Sequence, residues 1–172
     1  MTQHAPLFIV LLPVSAALLC MLFSRIQKNL GSWIVIASIA GAFLSAVSSL
    51  QQVIADGGKA LHYWMGNWQP PLGIEFVIDP ISGALAVLIT FIALLGSLYS
   101  LPFVKEEGWL HIGGYYTLYG LMTVGMCGMV ITGDVFNLYV FLEVMSLSGY
   151  GLIAIGGKKS MLAAFRYLLI GT

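Results

Sequence analysis

Charge is scarce in this sequence. Seven basic and seven acidic side chains among 172 residues make 8% of the total, against roughly 25% in an ordinary soluble domain. They cancel at neutral pH, and no cluster of Lys or Arg supplies the electrostatic footprint that nucleic-acid phosphates require. Cysteine is scarcer still. Cys20 and Cys127 stand alone in separate apolar stretches, which argues against a disulfide framework and against the paired Cys/His spacing of a zinc site. Both are read as packing residues. With 6 Pro and 20 Gly the chain is neither collagen-like nor low-complexity. What is abundant is apolar: 59% of the residues, with a mean hydropathy of +0.96. That is the composition of a polytopic membrane protein.

A hydrocarbon core takes ~20 helical residues to cross. Five stretches are long and apolar enough, at 6–23, 30–54, 80–101, 113–131 and 135–155. A sixth begins near Ser160 and has at most 13 residues up to and including Thr172, too few to span. The expected fold is therefore an all-α transmembrane bundle of five full spans and a shortened sixth. Residues 1–5 carry no Lys or Arg, so the first span is expected to be retained rather than cleaved as a signal peptide. Odd-numbered loops hold Arg25, Lys28, Lys105, Lys158 and Lys159, while even-numbered loops hold only Lys59. The positive-inside rule then places the N-terminus outside and the odd loops in the cytoplasm.

The connections carry local signals. Asp79-Pro80 and Asp134 each stand directly before an apolar run, where a carboxylate can cap free helix N–H groups and Pro costs nothing at the first helical position. The outer-face loop at 55–79 holds His62, Tyr63, Trp64, Trp68, a Gly66-Asn67 turn signal, Pro70-Pro71 and an alternating Ile74, Phe76, Ile78 set. This reads as a hairpin or extended loop with aromatics at the membrane interface. Small residues at Ser38, Ala42 and Ala46, and at Gly113, Gly114, Gly120, Gly125 and Gly128, suit close helix packing.

One acidic residue interrupts the pattern. Glu143 lies about nine residues into the fifth span, roughly 13 Å deep at 1.5 Å per residue, near the bilayer midplane. An acid there costs on the order of 2.5 to 3.5 kcal/mol on insertion scales and is usually turned inward toward water or a partner. Tyr139, Glu143, Ser146 and Tyr150 follow at intervals of four, three and four, which places them on one helix face. The face with Leu138, Leu142, Met145 and Leu152 is apolar. A polar stripe suits the lining of a hydrated path, and its carboxylate is a candidate proton carrier. The competing reading is a buried Glu that only ties helices together. Arg166, in the sixth segment, is expected to snorkel toward the cytoplasmic surface rather than to meet Glu143.

Residues 132–172, TGDVFNLYVFLEVMSLSGYGLIAIGGKKSMLAAFRYLLIGT, resemble the start of the proton-conducting core of antiporter-like membrane subunits. Such subunits occur in multisubunit monovalent cation/proton (Mrp-type) antiporters, in energy-converting hydrogenases and in respiratory complex I. The wording of this run is most similar to the D subunit of the Mrp-type antiporters. The run GIEFVIDPISGALAVLI at 73–89 resembles the same group, and residues 1–72 agree mainly in layout. The resemblance implies a longer subunit built on two inverted repeats. It also implies a proton-path glutamate on the fifth helix, the place Glu143 occupies, and a lysine partner on the seventh. Arg166 falls where the family often has Lys or Arg before Tyr. The chain is accordingly expected to be the N-terminal part of a longer subunit, unable to conduct protons alone. Helices 1–4, residues 1–131, would precede the conducting core that starts at 132.

The leading expectation is a proton-translocating subunit of a multisubunit sodium/proton antiporter in a prokaryotic inner membrane. Protons would be relayed through Glu143, Tyr139, Ser146 and Tyr150, with Arg166 and Asp134 as possible accessory charges. No cofactor or metal is expected, and the partners are other membrane subunits, the bilayer, protons and a monovalent cation. Two alternatives stay open. One is an antiporter-like subunit of complex I or of a membrane-bound hydrogenase that carries no redox site itself; the other is a structural assembly subunit. An intramembrane serine protease built on Ser148 lacks a base, because His4, His62 and His111 all fall outside the spans. A haem protein lacks intrahelical axial histidines for the same reason.

Overall fold

The computed structural model describes residues 4–27, 29–68, 73–104 and 109–171, without the side chains of residues 67, 109, 110 and 158. Among these residues six α-helices and one two-stranded sheet follow in the order α1 (Ala5–Ile26), α2 (Leu30–Ala55), β1 (Leu61–Trp64), β2 (Glu75–Ile78), α3 (Pro80–Val104), α4 (Trp109–Ile131), α5 (Val135–Ala154) and α6 (Lys158–Gly171), with a short 3-10 turn at Met65–Asn67 between the strands. Among the described residues, five helices are long and apolar enough to cross a membrane. The chain is a multi-pass membrane bundle, as its hydropathy requires. The helices run a few residues past the apolar stretches, so that Arg25 falls in the last turn of α1. Lys28, Lys105 and Pro70-Pro71 lie outside the described residues.

Asp79 begins α3 with a reciprocal cap: Ser82 donates its backbone N–H to Asp79 Oδ1 at 2.6 Å, and Asp79 N–H reaches Ser82 Oγ at 2.8 Å. The arrangement satisfies two donors that a helix start leaves free. The Ser82 N–H first, and then the Ser82 hydroxyl, hold the Asp79 carboxyl below the usual carboxylate range.

The centre of the bundle is α4, which packs on α1, α2, α3 and α5. Its polar side chains donate to carbonyl oxygens of neighbouring helices. Thr117 reaches Ala17 O at 3.1 Å, Tyr119 reaches Ala93 O at 2.9 Å, and Tyr116 reaches Ser97 O at 3.3 Å beside the Ser100 hydroxyl at 3.0 Å. In a bilayer such bonds and close small-residue contacts hold helices together, because lipid tails are as apolar as Leu. Gly113 and Gly120 bring α4 against Ser24 and Ala17 of α1, whereas Gly114 faces open space and takes no part in the packing expected of it. Cys20 and Cys127 are free and buried.

At one end β1 and β2 form an antiparallel hairpin that pairs Leu61 with Ile78, His62 with Val77, Tyr63 with Phe76 and Trp64 with Glu75. Alternation along β2 turns Phe76 and Ile78 inward, where both are fully buried. They join Ile9, Val53, Val124, Ile131 and Phe141 in one apolar core. A second core, with Val35, Ile39, Ile112 and Tyr116, fills the opposite half.

Candidate functional site: the polar face of α5

α5 opens on a turn that fixes its start closely. Asp134 is the N-cap, its carboxylate accepting the Phe136 N–H at 3.1 Å. The Asn137 side chain donates to Thr132 Oγ1 at 3.1 Å, and the same oxygen accepts the Asp134 N–H at 3.3 Å. Asp134 thus acts in the structure as a capping residue at the hairpin end.

The helix packs on α4 with one face. Phe141 lies against Gly128, Met145 against Gly125 with a would-be Cβ only 2.7 Å away, and Leu118 of α4 against Gly151. A side chain at Gly125 or Gly128 would hold the two helices apart. This packed face also carries Asn137 and Ser148, both buried. Each has a local partner, Ser148 donating to Val144 O at 2.6 Å.

At 3.6 residues per turn, Glu143 sits roughly 200° around the helix from Phe141, and Tyr139, Ser146 and Tyr150 share its side. The polar stripe thus faces away from α4. The structure divides it in two. Tyr139 is 60% exposed and its hydroxyl interacts with the half-buried Glu143 carboxylate one turn on. Tyr150 is buried against α6, edge-on to Tyr167 with ring centroids 4.8 Å apart. Ser146 lies between them, half-buried. Beside Tyr150, a groove of about 300 Å³ runs between α5 and α6, lined by Leu147, Gly151, Met161 and Ala164. Arg166 is exposed and pairs with no carboxylate among the described residues.

Sequence reasoning missed a second polar cluster. Glu75 Oε1 receives His62 Nδ1 at 2.7 Å and the Trp64 indole N–H at 3.0 Å. The imidazole, and after it the indole, holds the Glu75 carboxyl below its ordinary range. The available signal was the strand period: His62 and Trp64 are two residues apart, so they share a sheet face. On the other face, His4 Nδ1 lies 3.0 Å from the Tyr63 hydroxyl.

No protein-family model matches the chain. It is 40% identical over all 172 residues to the N subunit of NADH-quinone oxidoreductase from Desulforudis audaxviator. The D subunit of a probable K+/H+ antiporter from Rhizobium meliloti is 30% identical over 98% of the chain, and the D subunit of the Na+/H+ antiporter from Bacillus subtilis is 31% identical over 89%. The chain is a homologue of the antiporter-like membrane subunits. Among solved structures, its fold is similar to a chain of the membrane-bound sulfane sulfur reductase, an archaeal respiratory membrane complex, with a TM-score of 0.88 at 28% identity. It is similar as well to a chain of the Mrp complex from Dietzia, with a TM-score of 0.80 at 25% identity. Both likenesses cover 98% of this chain. The chain spans about a third of the length of these relatives, 34% of the first and 31% and 30% of the two antiporter ones.

Proposed function

We propose that this chain belongs to a proton-translocating subunit of a multisubunit membrane complex, and that Glu143 carries the proton. The observation that supports this most is the placement of the stripe. A carboxylate deep in an apolar helix is retained at a cost of a few kcal/mol, and here it stands opposite the face that packs on α4. A group whose only task was to tie α5 to α4 would lie on the packed side. Residues 132–172 form the start of the conducting core on this reading, with residues 1–131 as its scaffold and the hairpin end facing outside. Tyr139 and Ser146 flank the carrier along the path, and Tyr150 closes its far end against α6.

Two couplings are compatible with that role. Exchange for a monovalent cation is supported by the antiporter relatives, whose names specify K+ in one case and Na+ in the other. Coupling to redox chemistry elsewhere in a complex is supported by the 40% identity to the NADH-quinone oxidoreductase relative and by the higher TM-score to the archaeal respiratory complex. The second has the greater overall likeness.

The test is Glu143→Gln in the intact complex, reconstituted in vesicles with a pH-sensitive dye inside. Proton movement is driven first by a sodium or potassium gradient and then by electron donor and acceptor. Loss of at least about tenfold in proton flux, equal to 1.4 kcal/mol or more, with assembly unchanged, is the expected result under whichever drive works. Flux at the wild-type rate in Glu143→Gln removes Glu143 from the path.

A further inference from the structure

The hairpin is joined to α5, although α3 and α4 lie between them in sequence, and the joint lies on the backbone. The Gly133 N–H donates to Glu75 O at 2.9 Å, and Phe76 pairs with Thr132 as an isolated antiparallel bridge. The contact leaves no spare room, since a Cβ at Gly133 would lie 2.6 Å from Val77 Cγ2 and 3.5 Å from Glu75 Oε2. One residue along, the Phe76 ring is 1% exposed and tilted against Phe141 with centroids 6.4 Å apart. Phe141 is the residue that seats α5 on Gly128, and it precedes Glu143 by two positions.

These contacts act on two coordinates of α5. The Gly133–Glu75 bond and the Thr132 bridge fix the height of the turn from which α5 starts, and Asp134 and Asn137 carry that position into the first helical turn. The Phe76–Phe141 contact fixes rotation. Because a helix turns as a unit over two residues, any rotation that moves Phe141 off Phe76 moves Glu143 by the same angle. On the solvent side, His62 and Trp64 anchor the Glu75 side chain, so the strand that supplies these contacts is itself held.

We propose that β2 positions α5, with Glu75 and Phe76 as positioning residues that set the height and direction in which Glu143 is presented. The consequence for transport rests on the reading of Glu143 as proton carrier; the mechanical link does not. Neither residue touches the carried proton. Their effect is on the environment of Glu143 and therefore on its proton affinity.

The experiment uses the intact complex in lipid nanodiscs. Glu143 is modified with a hydrophobic carbodiimide, which reacts with protonated carboxyl groups, and the labelled peptide is quantified by mass spectrometry across pH. Amide exchange over residues 132–141 is followed in parallel. Gly133→Ala, which drives a methyl into Val77, and Phe76→Ala, which removes the ring, should each shift the labelling midpoint by about half a pH unit or more, a threefold change in proton affinity. Exchange over 132–141 should quicken about tenfold as that turn opens more readily. Phe76→Leu, which retains apolar fill, should restore most of the midpoint. The double variant Gly133→Ala/Val77→Ala removes the methyl that the new one strikes and should return both readouts toward wild type. Trp68→Ala, at an exposed hairpin residue, should leave both unchanged.

Wild-type midpoint and exchange in Gly133→Ala and Phe76→Ala overturn the proposal. So does a double variant that behaves like Gly133→Ala alone, since the effect would then not pass through Val77. If the carrier reading itself fails, Glu143→Gln will leave flux intact while the exchange difference persists, so the two failures are distinguishable.

Discussion

The helices α1 to α4 and the pair α5–α6 are built differently. In the first group two apolar cores fill the space between helices, and hydroxyl groups of α4 reach carbonyl oxygens on α1 and α3. In the second, α5 places Phe141 in a core and leaves Val135 and Phe136 81% and 75% exposed, and Ile170 of α6 is 84% exposed. Glycine distribution accounts for part of the contrast. α4 carries close-contact glycines toward both α1 and α5, so it can be approached from two sides, whereas α5 is approached closely on its α4 side. The first turns of α5 thus retain a free side that carries Tyr139 and Glu143, while Tyr150 further along is covered by α6. On the reading proposed above, α1 to α4 are the scaffold and α5 the element it presents.

The contrast breaks most severely at the joint between the groups. Replacing Gly128 with Val pushes a branched side chain into the Phe141 ring, and the helices must separate. Overpacking costs about 1–3 kcal/mol and occasionally more; the upper end is expected here, because the ring meets the new atom face to face. Gly114 offers the control. It faces open space, so Gly114→Ala relieves a helical glycine and should stabilise by about 0.5–1 kcal/mol. Thermal unfolding in a fixed detergent measures both, and a Gly128→Val midpoint equal to wild type would dissolve the distinction between scaffold and presented helix.

Much of this architecture was legible in the sequence. Apolar runs of spanning length placed the five long helices, since few residues other than apolar ones tolerate lipid. Asp79 and Asp134 marked two helix starts because a cap is a local event, settled within three residues. Alternation at Phe76 and Ile78 pointed to a strand, and Glu143 stood out because charge is so rare. What escaped detection shares one property: it joins residues distant in the chain through groups every residue has. The Gly133–Glu75 bond uses a backbone N–H and a backbone carbonyl, so no side-chain pattern announces it. Glu75 carried no signal of its own until pairing brought Trp64 opposite it. Gly114 looked like its neighbours because a glycine does not reveal which face of its helix it occupies.

A smaller effect sharpens the same comparison at two tyrosines. Tyr116 is 1% exposed and bonded to Ser97 O and the Ser100 hydroxyl, whereas Tyr139 is 60% exposed. Tyr116→Phe should cost about 1 kcal/mol, the net worth of a typical buried hydrogen bond. Tyr139→Phe should stay within about 0.5 kcal/mol, as for other substitutions away from packed features. Equal shifts in unfolding midpoint would mean that the second group is as tightly built as the first.

The smallest expected effect lies at the hairpin, where the two groups meet, and it depends on pH. Glu75 has its carboxyl pKa lowered, chiefly by the hydrogen bond from His62. A depressed carboxyl contributes stability that is fully present above its unfolded-state pKa and is lost as pH falls through the lowered folded-state value. The pair is partly open to solvent, with 53% of the His62 side chain exposed, so its contribution is screened and should stay under about 1 kcal/mol. Amide protection over residues 61–64 and 75–78, taken relative to the intrinsic exchange rate at each pH, should be level from neutral pH down to the ordinary carboxylate range and fall as pH drops from there through the lowered folded-state value. In His62→Ala the carboxyl loses the partner that chiefly depresses it, so protection should already be lower at neutral pH and its fall at acid pH should shrink. Identical protection profiles in both proteins would detach Glu75 from His62. The hairpin would then owe its hold on Gly133 to the backbone and the Phe76 ring alone.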